Sequence, residues 1–269
     1  MRSVLGCLAW HAGQIAIELS APVGLLLSKC TKATVSDLIE TNKLRKKSKG
    51  RQHQTMIIHA LDPEDLVMAT WVDAGHANRP DLSSTKGIFI GCTSKRILQG
   101  SLEAVNPIFW SASKISRVCR SSASAETRAA VDGEDQMYAL RFQLSEFRGF
   151  HANVWDPDST VLQTEGVLIS DSKNLYDRLN TTIMTLSGAE KRSDIETLCL
   201  KEPLSICKVS LRWVNGESQL ANSLTKFDEP QQILIFNNRN GHWRIVYDDD
   251  IISGKRRRQM GLDPLETQT

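Results

Sequence analysis

No two cysteines in this chain form a CxxC pair, and no combined cysteine and histidine spacing resembles a zinc site. Cys7, Cys30, Cys92, Cys119, Cys199 and Cys207 are scattered singly, which argues against a zinc ribbon or a disulfide scaffold and reads as reduced thiols of an intracellular protein. No apolar run approaches the roughly 18 uninterrupted residues that a membrane-spanning helix needs, so no membrane partner is expected. The opening from Met1 to Trp10 has the flavour of an export signal, but His11, Gln14 and Glu18 interrupt it too early. Charge of one sign is also lacking. A net +2 over 269 residues is too mild to announce nucleic acid, so any basic surface must be local. Neither an internal repeat nor a low-complexity tract is present. With 41% hydrophobic and 24% charged residues, the chain can bury an ordinary core, and wholesale disorder is excluded. The length suits one domain with appendages, or two small domains.

Residues 1–60 read as mostly helical, with apolar positions at helical spacing from Val4 to Leu27 and again at Val35, Leu38 and Ile39. The dense basic run Lys43 to Arg51 follows. It is either a solvated helix end or a contact for phosphates. From Leu66 the period changes. Strands are expected at Leu66–Asp73, Gly87–Cys92 and Pro107–Ala112, an antiparallel meander. Ser121 and Ser122 offer caps for a long helix from Ala125 to Phe147. A strand at Val167–Asp171, helices at Ser172–Leu179 and Ser187–Leu200, a strand at Val209–Val214 and a short helix at Gln219–Lys226 follow. Beyond Pro230, Ile233 to Tyr247 is expected to form a hairpin around Asn240-Gly241, and Lys255 to Arg258 to be a solvated basic tail. The order predicts an α/β fold, a five-stranded mixed sheet flanked by helices.

Acidic residues at strand tips are candidate ligands, since sites form at strand ends of such sheets. Asp73 ends the first strand, Asp171 the fourth, and Glu126 opens the long helix. Taken singly, each is explained as well by a turn or cap. Converging, they would need a cation, and magnesium prefers oxygen ligands. The six histidines share no metal spacing, although His76 lies close to Asp73 in sequence. Trp71, Trp110 and Trp213 sit in expected strands and are read as core.

Asp73-Ala74, Ser84-Thr85-Lys86-Gly87, Trp110-Ser111-Ala112-Ser113-Lys114, Arg120-Ser121-Ser122-Ala123-Ser124-Ala125-Glu126, Leu168-Ile169-Ser170-Asp171, Lys191-Arg192-Ser193-Asp194-Ile195 and Gln219-Leu220-Ala221-Asn222-Ser223-Leu224-Thr225-Lys226 occur in an order similar to that of the RNase H domain of copia-type LTR retrotransposons. The most specific piece is Arg120 to Glu126, which matches the family's R-S-S-x-x-A-E throughout. The resemblance covers residues 65–228. Arg2 to Trp10 resembles the stretch joining polymerase to RNase H, so residues 1–60 are expected to be a remnant of the reverse transcriptase thumb or connection, and 229–269 a C-terminal extension.

The resemblance implies an RNase H-like fold and hydrolysis of the RNA strand of RNA–DNA hybrids with two Mg2+ ions, for which Mn2+ could substitute. It makes Asp73, Glu126 and Asp171 catalytic metal ligands. The fourth carboxylate of the family falls on Asn222, and Asp194 is the nearby acid that could take its place. Ser84, Thr85, Lys114, Arg120 and Ser122 are expected to contact the nucleic acid. A polymerase domain is an implied partner, the chain being a piece of a Pol polyprotein, and the place an intracellular, cytoplasmic one, or a virus-like particle where the element is active. Two other readings stay open: a catalytically inactive nucleic-acid-binding remnant, favoured by Asn222, and another nuclease or integrase of the same fold.

Overall fold

The computed structural model describes residues 1–182, 190–227, 230–246 and 258–261. Three helices come first: α1 (Arg2–Gln14), α2 (Ser20–Ser28) and α3 (Val35–Gly50). Thr34 caps α3 in a reciprocal box: Asp37 N–H donates to the threonine hydroxyl at 3.3 Å, and Thr34 N–H to the Asp37 carboxylate at 2.9 Å. Leu5, Leu8, Leu19, Val23, Leu26 and Leu44 give these helices a small core of their own.

The meander follows as β1 (Leu66–Gly75), β2 (Thr85–Ser94) and β3 (Glu103–Lys114). Next come α4 (Ser122–Phe147), the short α5 (Pro157–Val161), β4 (Glu165–Ser170), α6 (Lys173–Asn180), α7 (Lys191–Ile206) and β5 (Val209–Trp213). A 3-10 turn (Leu220–Leu224), α8 (Gln231–Asn238) and β6 (His242–Trp243) complete the described chain. The sheet order is β5-β4-β1-β2-β3-β6. The meander strands and β6 pair antiparallel, whereas β4 joins β1, and β5 joins β4, in parallel. This is the expected α/β mixed sheet flanked by helices, with one more strand at its edge.

Alternation along β1 explains both layers. Val67, Ala69 and Trp71 pack with Phe89, Ile169, Leu224 and Phe236 on one face, while Met68 and Val72 pack with Ile88, Ala129, Ala130 and Met137 of α4 on the other. Each face thus buries a cluster against helices, and β1, in the middle, is buried throughout and apolar but for Thr70 until Asp73. A Cβ added to Gly133 would lie 2.4 Å from the Val72 Cγ1, so the glycine permits the close approach of α4 to β1. Gly133→Ala is expected to destabilise the protein by about 1–3 kcal/mol, despite alanine's better helix propensity, because the crowded atom is packed in the core. A urea unfolding midpoint below that of the parent would show it.

Three expectations change. The hairpin over 233–247 is instead α8 followed by the two-residue β6, which pairs with Glu103 and Ala104. Ile233, Ile235 and Phe236 bury together from a helix, and the turn at Asn240 (φ 53) and Gly241 (φ 76) takes the chain back to the sheet edge. Tyr247 lies outside the described residues. The helix expected from Ser187 to Leu200 is described from Lys191 and runs on to Ile206, with residues 183–189 outside the described chain. The last short helix tightens to 3-10 geometry. Of the basic tail only Arg258 is described.

Candidate metal centre

Asp73 is placed by the C-terminal end of β1, Asp171 by the residue after β4, and Glu126 by the first turn and a half of α4. Because β1 and β4 are parallel neighbours, with Trp71 opposite Ile169, their ends deliver Asp73 and Asp171 to the same edge. Ser121 fixes the helix end that carries Glu126, its hydroxyl accepting from Ser124 N–H at 3.1 Å. One carboxylate oxygen from each of the three acids lies within 4.8 Å of the others. Among the described residues this is the group of acids able to hold a metal ion.

The electrostatics follow from that crowding. Burial raises the Asp73 pKa, against the opposing pull of the Thr225 hydroxyl bond, Lys226 and the Ala74 amide. Glu126 is pushed up to about 9, first by burial and then by Asp73 and Asp171, with the Ala74 amide and Lys226 opposing. Asp171 is pushed up to about 6 by burial and by Asp73, opposed by its own amide, Lys226 and Gln219. Three carboxylates so close hold fewer than three charges at neutral pH unless a cation joins them. Glu126 Oε2 is buried with no hydrogen-bond partner. An orphaned carboxylate oxygen beside two more, all hard oxygen donors, fits a divalent ion of the magnesium type.

The polar residues that hold this edge were not singled out from sequence. The Thr225 hydroxyl donates to Asp73 Oδ2. Gln219, fully buried, donates to the Val72 carbonyl at 3.0 Å and also bonds Asp171. Lys226 donates to Asn222 Oδ1 while its charge acts on all three acids. Asn222 itself, on the 3-10 turn, is therefore tied to the centre through this lysine. Asp194, the acid expected to take its place, is paired with Arg178 of α6 and is not among the three acids that converge. Trp213, expected in the core, is 45% exposed and donates to the Asp171 carbonyl at 3.0 Å, so it steadies the backbone of Asp171.

The residues expected to meet nucleic acid separate into two groups. Ser84 and Thr85 are buried, and their hydroxyls are engaged: Ser84 accepts from Ala77 N–H at 3.1 Å, and Thr85 donates to Asn78 Oδ1 at 2.8 Å. Asn78 in turn donates to the Thr225 carbonyl at 2.6 Å, so this loop supports the residue that holds Asp73. In this structure the Ser84 and Thr85 hydroxyls are both turned into the loop, not toward solvent where the expected contact with nucleic acid would be made. Lys114 is exposed and paired with Asp81. Ser122 is exposed at the head of α4, where Ser121 does the capping. Arg120 is exposed on the wall of an open basin of about 810 Å³, shared with Arg117, Arg128, Lys191 and Arg192, between the heads of α4 and α7. His76 is exposed and contacts the Cys119 carbonyl.

No protein-family model matches the chain, and no curated protein matches it. Solved structures do. The N-terminal RNase H domain of a Mycobacterium tuberculosis protein, solved as a fusion with maltose-binding protein, is 15% identical and aligns over 57% of this chain and 91% of its own, with a TM-score of 0.37. RNase H1 of Halobacterium salinarum is 14% identical over 58% of this chain and 92% of its own, with a TM-score of 0.36. A foamy viral protease-reverse transcriptase, solved with an RNA/DNA hybrid, is 8% identical over 70% of this chain and 25% of its own, at 0.36. Among the described residues, no helix is long and apolar enough to cross a membrane.

Proposed function

We propose that this chain is an endonuclease that hydrolyses the RNA strand of RNA–DNA hybrids, the RNase H part of a copia-type retrotransposon reverse transcriptase. The observation that carries this reading is the convergence of Asp73, Glu126 and Asp171 within 4.8 Å, with one buried Glu126 oxygen unpartnered. Asp73, Glu126 and Asp171 would hold the metal, with Thr225, Gln219 and the Asn78 loop keeping the first and third of them in place. Two Mg2+ or Mn2+ ions would supply an activated water and charge for the leaving oxygen. Hydrolysis adds the water oxygen to phosphorus, breaks the phosphorus–ribose oxygen bond and leaves the proton on the departing hydroxyl. In this reading the exposed Arg120, Ser122 and Lys114 would contact the backbone of a bound duplex. In this reading residues 1–60 are the remnant of the thumb or connection, 65–228 the nuclease and 229–269 an extension.

Incubating the protein with hybrids labelled on either strand, in Mg2+ and in EDTA, tests the proposal. RNA-strand fragments in Mg2+ alone are expected, and intact RNA in both would refute it. The second reading, an inactive hybrid-binding remnant, is favoured by one observation: at position 222 an amide, already bonded by Lys226, stands where the family has a carboxylate. The cleavage assay separates the two, and Asn222→Asp probes position 222 in an active protein. A unit charge about 4 Å away is worth roughly 4 kcal/mol at an effective dielectric near 20, before desolvation. Asn222→Asp is expected to lower the Mg2+ concentration for half-maximal cleavage and to leave the product pattern unchanged. A loss of activity in this variant would show that position 222 does not serve the metal.

A further inference from the structure

Away from the acidic centre, a chamber of about 210 Å³ lies where α1, the turn Ile17–Leu19, the tail of α3 and the end of α8 meet. At the liquid share of about 30 Å³ each, it has room for roughly seven waters. Ile15, Met56, Ile57 and Phe236 give it apolar walls. Glu18 lines it at 4% exposure, and Glu18 Oε2 is buried without a hydrogen-bond partner. On the other side of that carboxylate, Oε1 is 3.8 Å from the Arg51 guanidinium, itself part of the lining. Nothing in hybrid cleavage uses this glutamate. An unpaired buried carboxylate oxygen costs folding energy, which a donor-bearing ligand would recover. Arg51 also ends the basic run of α3, where Arg45, Lys46, Lys47 and Lys49 are exposed.

We propose that this chamber binds a guanine base, either of a free nucleotide or of an unpaired strand whose phosphates follow the α3 basic face. A carboxylate accepts two hydrogen bonds side by side, and the ring N–H and amino group of guanine present two adjacent donors. Adenine and cytosine each set an acceptor nitrogen beside their amino group, and uracil flanks its single N–H with carbonyls, so each would turn a lone pair toward Glu18. Apolar walls suit the faces of a base removed from its stack, and guanidinium and ammonium groups suit the phosphates. This inference goes beyond hybrid cleavage and does not depend on it.

Calorimetric titration of the full chain with 5′-GMP in EDTA tests it, EDTA keeping metal-borne phosphate away from the acidic centre. GMP is expected to bind at least about tenfold more tightly than AMP, and Glu18→Gln to remove that preference, since one tenfold step equals about 1.4 kcal/mol, the scale of one charged hydrogen bond. Arg51→Met provides a second handle: it should weaken GMP but spare guanosine. A dT strand with one central dG identifies the source. If strands are the ligand, it binds more tightly than GMP and with steep salt dependence; if free nucleotides are, GMP binds at least as well. Equal affinity for GMP and AMP, an unchanged Glu18→Gln protein, or binding abolished by Asp73→Asn would overturn the assignment.

Discussion

Asp73→Asn is expected to lower hybrid cleavage by at least about a hundredfold, since misplacing a reacting water by 1 Å alone costs that much. The substitution keeps an oxygen for the Thr225 hydroxyl and the volume of the side chain, but removes the charge that the metal needs. The variant should fold as well as the parent, because Asp73 is buried among like charges and its pKa is raised by that burial. Rate measured at saturating Mg2+ alongside a thermal melt separates the two effects. An Asp73→Asn protein as fast as its parent would remove this residue from the reaction.

The second large effect is a gain in stability that accompanies the loss of function. Glu126 holds its proton up to about pH 9 in the folded chain, but only up to about 4.5 when unfolded. Between those values the folded state binds more protons, so the metal-free protein loses stability as pH rises. Each pKa unit corresponds to about 1.4 kcal/mol. Relaxation and screening at the open edge reduce the whole to the order of 2 kcal/mol, or about 4–8 °C in Tm for a chain of this size. Glu126→Gln should remove the part of the slope above about pH 7, where Asp171 and Glu134 have already titrated, and melt higher than the parent at pH 8 in EDTA, yet fail to cut the hybrid. Mg2+ should recover the same stability in the parent only. A Glu126→Gln protein that melts lower at pH 8 would show that the carboxylate is structurally satisfied, contrary to its unpartnered oxygen.

Much of this site was legible before any coordinates. Asp73 and Asp171 follow largely apolar, buried strands, and a parallel pair of such strands must present both ends at one edge. Glu126 follows a serine cap by five residues, a spacing that puts it on the first turns of α4. The supporting residues were less legible, because hydrogen-bond partnership across more than a hundred residues leaves no local pattern. Thr225 reaches Asp73, and Asn78 reaches Thr225, only once β1 and the last 3-10 turn are packed together. Ser84 and Thr85 read as surface groups because serine and threonine in a polar loop usually are. Here the loop folds back and buries them. At Ile233, Ile235 and Phe236 the spacing suits strand and helix alike, and burial against Trp243 and Phe89 decides for helix α8.

The account rests on Asp73, Glu126 and Asp171 acting as one metal centre, and calorimetric titration with Mn2+ in two buffers of different ionisation enthalpy tests it most directly. At pH 7.5 Glu126, with its pKa near 9, carries a proton that an incoming ion must displace. The account predicts saturable Mn2+ binding with release of about one proton per chain, and loss of both in Asp73→Asn. Mn2+ binding that persists in Asp73→Asn, or that releases no proton, would contradict it.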